Sequence, residues 1–153
     1  MKTKLIVLSA VLAITTGCST VTNEPVKMEP FEYNIPASKD DIYFAAVDCT
    51  LENISAPATS GQFFDYQDKD SGRLSVAFNS SYVLAFSQIP IKTTMSIRAK
   101  DNNLNIRFSS LQEYFDSIGW TSVKKRKDGT ASEPELKLND TASAISSCIK
   151  DRV

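Results

Sequence analysis

The sequence has no histidine at all. Ser-His-Asp and Cys-His nucleophilic centres need an imidazole to carry the proton, so those chemistries are excluded, together with His-ligated metal sites. Glycine is scarce: five in 153 residues, none arranged as G-x-G-x-x-G or as a P-loop, the patterns that cradle phosphate on backbone amides. No apolar run approaches the roughly 20 residues that a membrane-spanning helix requires. Positive charge is not in excess either, with 17 Lys+Arg against 18 Asp+Glu, which argues against nucleic acid as the main partner. These absences leave no cofactor or metal to expect and turn the reading from enzyme toward binding module.

What is present begins at the N-terminus. Met1-Lys2-Thr3-Lys4 is a short positive segment, and Leu5 to Ile14 is apolar except for Ser9. That length suits a secretory signal rather than a transmembrane anchor. The run closes on Thr15-Thr16-Gly17-Cys18, which resembles the bacterial lipobox: small residues for the peptidase, then a thiol that accepts diacylglycerol. Thr15 stands where Leu is commoner. The expectation is a signal peptide over 1–17, a lipid on Cys18, and attachment to a membrane through acyl chains. The alternative is an ordinary signal or short anchor with an incidental Cys18. Ser19, not Asp, follows the cysteine. Under the enterobacterial sorting rule, which assumes a Gram-negative host, this points to the outer membrane; the rule leaves the leaflet open, and the periplasmic side is the expectation.

Cleavage before Cys18 leaves about 136 residues and a net charge of about −3, one domain's worth of chain. Of three cysteines, Cys18 is committed to lipid, so Cys49 and Cys148 remain in an oxidising compartment. One disulfide is expected; the alternative is two buried free thiols.

Residues 18–36 carry Pro25, Pro30 and Pro36 and read as the lipidated cysteine and an extended tether, within which Phe31 to Ile35 alternates as an edge strand would. The domain is assigned to 37–153. Ser38-Lys39-Asp40-Asp41 has the form of a capping box, opening a helix to about Ile54. Tyr43, Phe44, Val47, Leu51 and Ile54 form a stripe expected to face a sheet, with Ile42, Ala46 and Cys49 on a second strip toward a neighbouring helix. Strands are expected over Gln62–Gln67, Arg73–Asn79, Ile91–Ala99 and Leu104–Phe108, with Tyr82–Phe86 a further strand or a continuation. Asp101-Asn102-Asn103 makes the tightest hairpin signal. Leu111, Tyr114, Phe115 and Ile118 have helical spacing. A terminal helix capped by Asn139 or Asp140 carries Ile145, Cys148 and Ile149 inward, toward Cys49. The fold class is therefore α+β: a two-layer sandwich, with an antiparallel sheet of about four strands packed against an N-terminal and a C-terminal helix.

The order of the capped helix at Ser38, the turn Asp68-Lys69-Asp70-Ser71-Gly72-Arg73-Leu74 and the hairpin from Ile91 to Phe108 resembles a TBP-like (TATA-binding-protein-like) domain of unknown function found in secreted bacterial proteins. It covers about half of the mature chain. Lipidation, tether and helix-then-sheet order also resemble the helix-grip domains of the outer-membrane assembly lipoprotein BamC. Neither resemblance implies a catalytic residue; both imply binding or scaffolding.

Candidate sites are few. Asp65, Asp68 and Asp70 before Ser71-Gly72 lack the spacing and closing Glu of a calcium loop and read as an acidic turn. Glu113 and Asp116 could pair as acid and base, but on a surface helix they read as solvated. Tyr114, Phe115 and Trp120 could form a contact patch, or pack in the core. Lys124, Lys125, Arg126 and Lys127 could meet lipid phosphates, or form a solvated loop. The expected partner beyond the membrane is an envelope protein, met through 111–127. Carriage of a small or lipid ligand between helix and sheet, and carboxylate-based catalysis, are the competing readings.

Overall fold

The computed structural model describes residues 20–55 and 62–153. The signal segment, Cys18 and most of the Ser55–Gly61 break lie outside the described residues.

Ten elements follow one another: β1 (Val21–Pro25), β2 (Phe31–Asn34), α1 (Lys39–Asn53), β3 (Tyr66–Asp68), β4 (Arg73–Leu84), β5 (Ser87–Lys100), β6 (Asn103–Phe115), β7 (Gly119–Ser122), β8 (Lys124–Arg126) and α2 (Glu133–Lys150). The main sheet is antiparallel in the order β2-β6-β5-β4-β3, with β7 added to β6, while β1 and β8 form a separate two-stranded ribbon. Both helices pack on one face of the main sheet and on each other. This is the α+β sandwich expected, with the sheet widened beyond four strands by β2 and β7.

The period-2 patterning decides which face is covered. Leu74, Val76 and Phe78 of β4, Ile91, Met95, Ile97 and Ala99 of β5, and Leu104, Ile106 and Phe108 of β6 are all buried. Against them lie Ile42, Ala46 and Cys49 from α1 and Leu138, Ala142, Ile145 and Ile149 from α2. Each large aliphatic among them contributes on the order of 1.5–3 kcal/mol. The β5–β6 turn is clamped to α1: the Asp101 carboxylate accepts from the Lys39 amide at 2.8 Å, and the Asn102 amide donates to the Ala37 carbonyl at 3.0 Å.

Several expectations are corrected. Of the stripe expected to face the sheet, Tyr43 and Ile54 are buried and Val47 packs partly against the core. Phe44, however, is 52% and Leu51 48% exposed, because α1 is turned toward Ile42, Ala45, Ala46, Cys49 and Thr50, which are buried. The helix touches β5 and α2 together, so its buried arc is centred on the strip of small residues between them. Residues 111–120 are not helical: β6 continues to Phe115, and a turn leads into β7. The terminal helix starts six residues before Asn139, because Glu135 accepts from the Ser132 amide at 2.8 Å in a capping box, and Pro134 suits a first turn. The first strand of the domain is shorter than Gln62–Gln67 and shifted to Tyr66–Asp68. Finally, the edge strand read at Phe31–Ile35 is present as β2, with Phe31 opposite Ile106, but the segment before it is not a free tether, since Val21 lies opposite Arg126 in the β1–β8 ribbon.

Candidate functional site

Tyr82–Phe86 is a continuation of β4, and it ends in a two-residue turn. Leu84 pairs with Ser87, and the intervening Ala85 and Phe86 have φ of 44° and 74°. Two-residue hairpin turns with positive φ at both centres favour Asn-Gly, because larger side chains are strained there. Here they are Ala and Phe, and the Phe86 ring is fully exposed. Val83 is 70% and Ile118 68% exposed, with Leu84 also exposed. β4 and β6 run in the same direction, so the β4–β5 turn and the β6–β7 turn that carries Ile118 sit at one end of the sheet. That end therefore concentrates apolar surface on strained or exposed backbone. Sequence reasoning missed it, because no Asn-Gly or Gly marked the turn; the run Val83-Leu84-Ala85-Phe86 was the available signal.

The expected aromatic patch borders this end. Tyr114 and Trp120 are cross-strand partners on β6 and β7, with ring centroids 5.4 Å apart. The Lys92 ammonium lies 4.3 Å from the Trp120 centroid, a cation–π geometry. Phe115 ends β6 and is half-buried.

The basic run does not join that patch. Lys124, Lys125 and Arg126 form β8 in the separate ribbon, beyond the buried Val123. Lys124 Nζ donates to the Asn23 carbonyl at 3.1 Å, Lys125 pairs with Glu24 at 3.5 Å, and Arg126 donates to Thr130 at 3.4 Å. The Lys127 amide donates to the Thr20 carbonyl at 3.0 Å. The run is thus a strand that holds β1 through ordinary surface polar contacts, not a free loop.

The carboxylates are also accounted for. Glu113 is on a strand and accepts from the Tyr82 hydroxyl at 2.6 Å; Asp116 lies in the exposed β6–β7 turn. They therefore do not share a helix face. In the acidic turn, Asp68 accepts from the Ser71 hydroxyl at 2.6 Å, from the Asp70 amide at 3.0 Å and from Tyr66 at 3.1 Å. The hydrogen bonds from Ser71 hold its carboxyl below the usual range. This is the acidic turn read from the sequence. Among the described residues, no cluster of three or more acidic or cysteine side chains could hold a metal ion.

Cys49 of α1 and Cys148 of α2 form a disulfide with Cα atoms 5.9 Å apart, as the two helix stripes require. Arg152 adds ion pairs from the C-terminus to Asp48 and Glu52. Among the described residues, no helix is long and apolar enough to cross a membrane.

No family model matches the chain, and no curated protein matches it. Solved structures do. A DUF4468-family protein from Bacteroides ovatus superposes with a TM-score of 0.62 at 11% identity, covering 85% of this chain and 92% of its own. A TBP-like protein from Parabacteroides distasonis gives 0.62 at 14% identity, covering 82% of this chain and 93% of its own. At such identities the likeness is one of fold: this chain has the TBP-like architecture that those bacterial proteins share.

Proposed function

We propose that this chain is a lipid-anchored envelope protein whose domain acts as a non-catalytic binding module, and that it docks a second envelope protein with the apolar end of its sheet. Cys18 would carry the lipid and place the domain on the outer membrane, facing the periplasm. One observation carries the reading: Phe86 stands fully exposed on a left-handed turn that follows exposed Val83 and Leu84, at the end of the sheet that also carries exposed Ile118. A polar Asn-Gly turn would close the same hairpin with less strain and less exposed apolar area. A fold that keeps Phe there forgoes stability at a surface position, which makes sense where a partner covers the ring; aromatic anchors of this kind dominate interface energetics.

Carriage of a ligand between helices and sheet has less support, since side chains from both helices and from three strands fill that layer.

The test is made in intact cells of the source bacterium. A photo-crosslinking amino acid in place of Phe86 should give a discrete adduct with an envelope protein, and the same group at Lys137, on the exposed side of α2, should not. Equal adduct patterns at both positions would refute the docking surface. Separately, a clickable palmitate should label the wild-type chain and not Cys18→Ala; labelling of neither would remove the anchor.

A further inference from the structure

The face of the sheet away from the helices is built as a small lattice of side chains. In one row, Arg73 of β4 pairs with Arg98 of β5, which pairs with Asn105 of β6. In the next row, Tyr66 of β3 pairs with Ser75, Ser75 with Ser96, and Ser96 with Arg107. Two serines thus form the floor, three guanidiniums surround it, and a tyrosine ring closes one side. The space between them is a groove of about 470 Å³, within the range of small-molecule sites.

Like charges directly opposite one another on a sheet destabilise it, so Arg73 beside Arg98 calls for a counter-charge. Among the described residues, no ion pair reaches Arg73, Arg98 or Arg107. Every Asp and Glu of the chain lies among the described residues, and the ion pairs they form there involve Lys39, Lys69, Lys125 and Arg152 instead. Asp68, the cross-strand neighbour of Arg73, has turned its carboxylate to Ser71 and Tyr66. Glu32, across from Asn105, accepts from the Asn105 amide at 3.3 Å. Three of the chain's five arginines therefore gather on a chain that is net acidic, around a floor of hydroxyls, with no internal partner among the described residues.

The geometry points to a binding site for a phosphate monoester on this face, with Arg73, Arg98 and Arg107 engaging its terminal oxygens and Ser75 and Ser96 donating from below. Three guanidinium forks suit a dianion with three terminal oxygens better than a carboxylate with two. The small serines let the group descend to the sheet. Tyr66 offers a surface for whatever carries the phosphate. The site is distinct from the apolar end proposed for protein docking and does not depend on it.

The test uses the full chain in non-ionic detergent, with phenyl phosphate as probe and binding followed by calorimetry at constant ionic strength. Saturable binding is expected, weakened at least tenfold by Arg98→Gln, the scale of one lost charge-assisted hydrogen bond. Ser96→Val, which fills the floor and leaves every arginine in place, should also abolish it. Lys137→Gln, on α2, should leave it unchanged. Two further probes separate the sources of the phosphate. Tighter binding of glycerol phosphate than of monomeric dihexanoyl phosphatidic acid identifies a soluble ester, and the reverse identifies a lipid headgroup; either supports the site. Unsaturable binding, wild-type affinity in Arg98→Gln, equal affinity for benzoate, or a preference for a 20-base-pair duplex would each overturn it.

Discussion

The Tyr82 hydroxyl donates to Glu113 Oε2 at 2.6 Å, bridging β4 to β6 over the intervening β5. Burial and the Glu113 carboxylate together push the phenol well above its ordinary value of 10. The folded state therefore holds this proton more tightly than the unfolded chain does. Stability from this group is fully present below pH 10 and falls as pH rises beyond it, toward the folded pKa. Tyr82→Phe should lose about 1 kcal/mol at neutral pH and show a shallower decline above pH 10, measured by urea unfolding across pH 8–11. An unchanged alkaline slope would separate the bridge from stability.

Reduction of Cys49–Cys148 opens a cross-link spanning 99 residues. In the chain-entropy model a loop of that size is among the more stabilising, and loss of a native disulfide from a small domain commonly costs about 2–5 kcal/mol. The double variant Cys49→Ala/Cys148→Ala should unfold at clearly lower temperature than the oxidised wild type. Reductant should lower the wild-type midpoint and leave the variant unmoved.

Phe86→Gly predicts two effects of opposite sign. Removing the side chain relieves a left-handed conformation at φ 74°, which should stabilise the domain by about 1 kcal/mol. The same change should weaken capture of the envelope partner. Thermal unfolding reports the first effect, and the cellular crosslinking yield from a photo-crosslinking residue at exposed Ile118, with and without Phe86→Gly, reports the second. A loss of stability with undiminished capture contradicts the assignment of Phe86 to the interface.

Gly72 closes the acidic turn at φ 65°, and a Cβ there would collide with the Ala99 carbonyl oxygen. The Ala99 amide donates to the Gly72 carbonyl at 2.7 Å, so the turn is pinned where it would clash. Gly72→Ala should cost about 2–3 kcal/mol, whereas Gly129→Ala, with open space around it, should cost only the strain of its positive φ. Chemical denaturation of the two variants compares them directly.

The parts of this fold that could be read from the sequence were those where one face is buried and the other wet. Ile91 to Ala99 and Leu104 to Phe108 alternate without interruption, and their turn contains Asn102 at φ 58°, so the central hairpin was legible. The region after Ser110 was not. Ser110 has φ 58° beside a register shift in the β5–β6 pairing, which changes the phase of the alternation. Leu111, Tyr114, Phe115 and Ile118 then mimic helical spacing while lying on a strand and its hairpin turn. α1 misled for a different reason: its two apolar strips are similar, and only the docking of α2 through Cys148 decides between them. The open-face arginines were invisible as a group, since Arg73, Arg98 and Arg107 are neighbours only through strand register.

The β1–β8 pairing has a bearing on reach. Val21 is already part of the folded ribbon, so a lipid on Cys18 would be joined to it by chain that spans at most ~10 Å even fully extended. Such an anchor would hold the body flush against the bilayer, and any encounter would be confined to a thin layer above the headgroups. Targets several nanometres away would come within range only after the ribbon unzips.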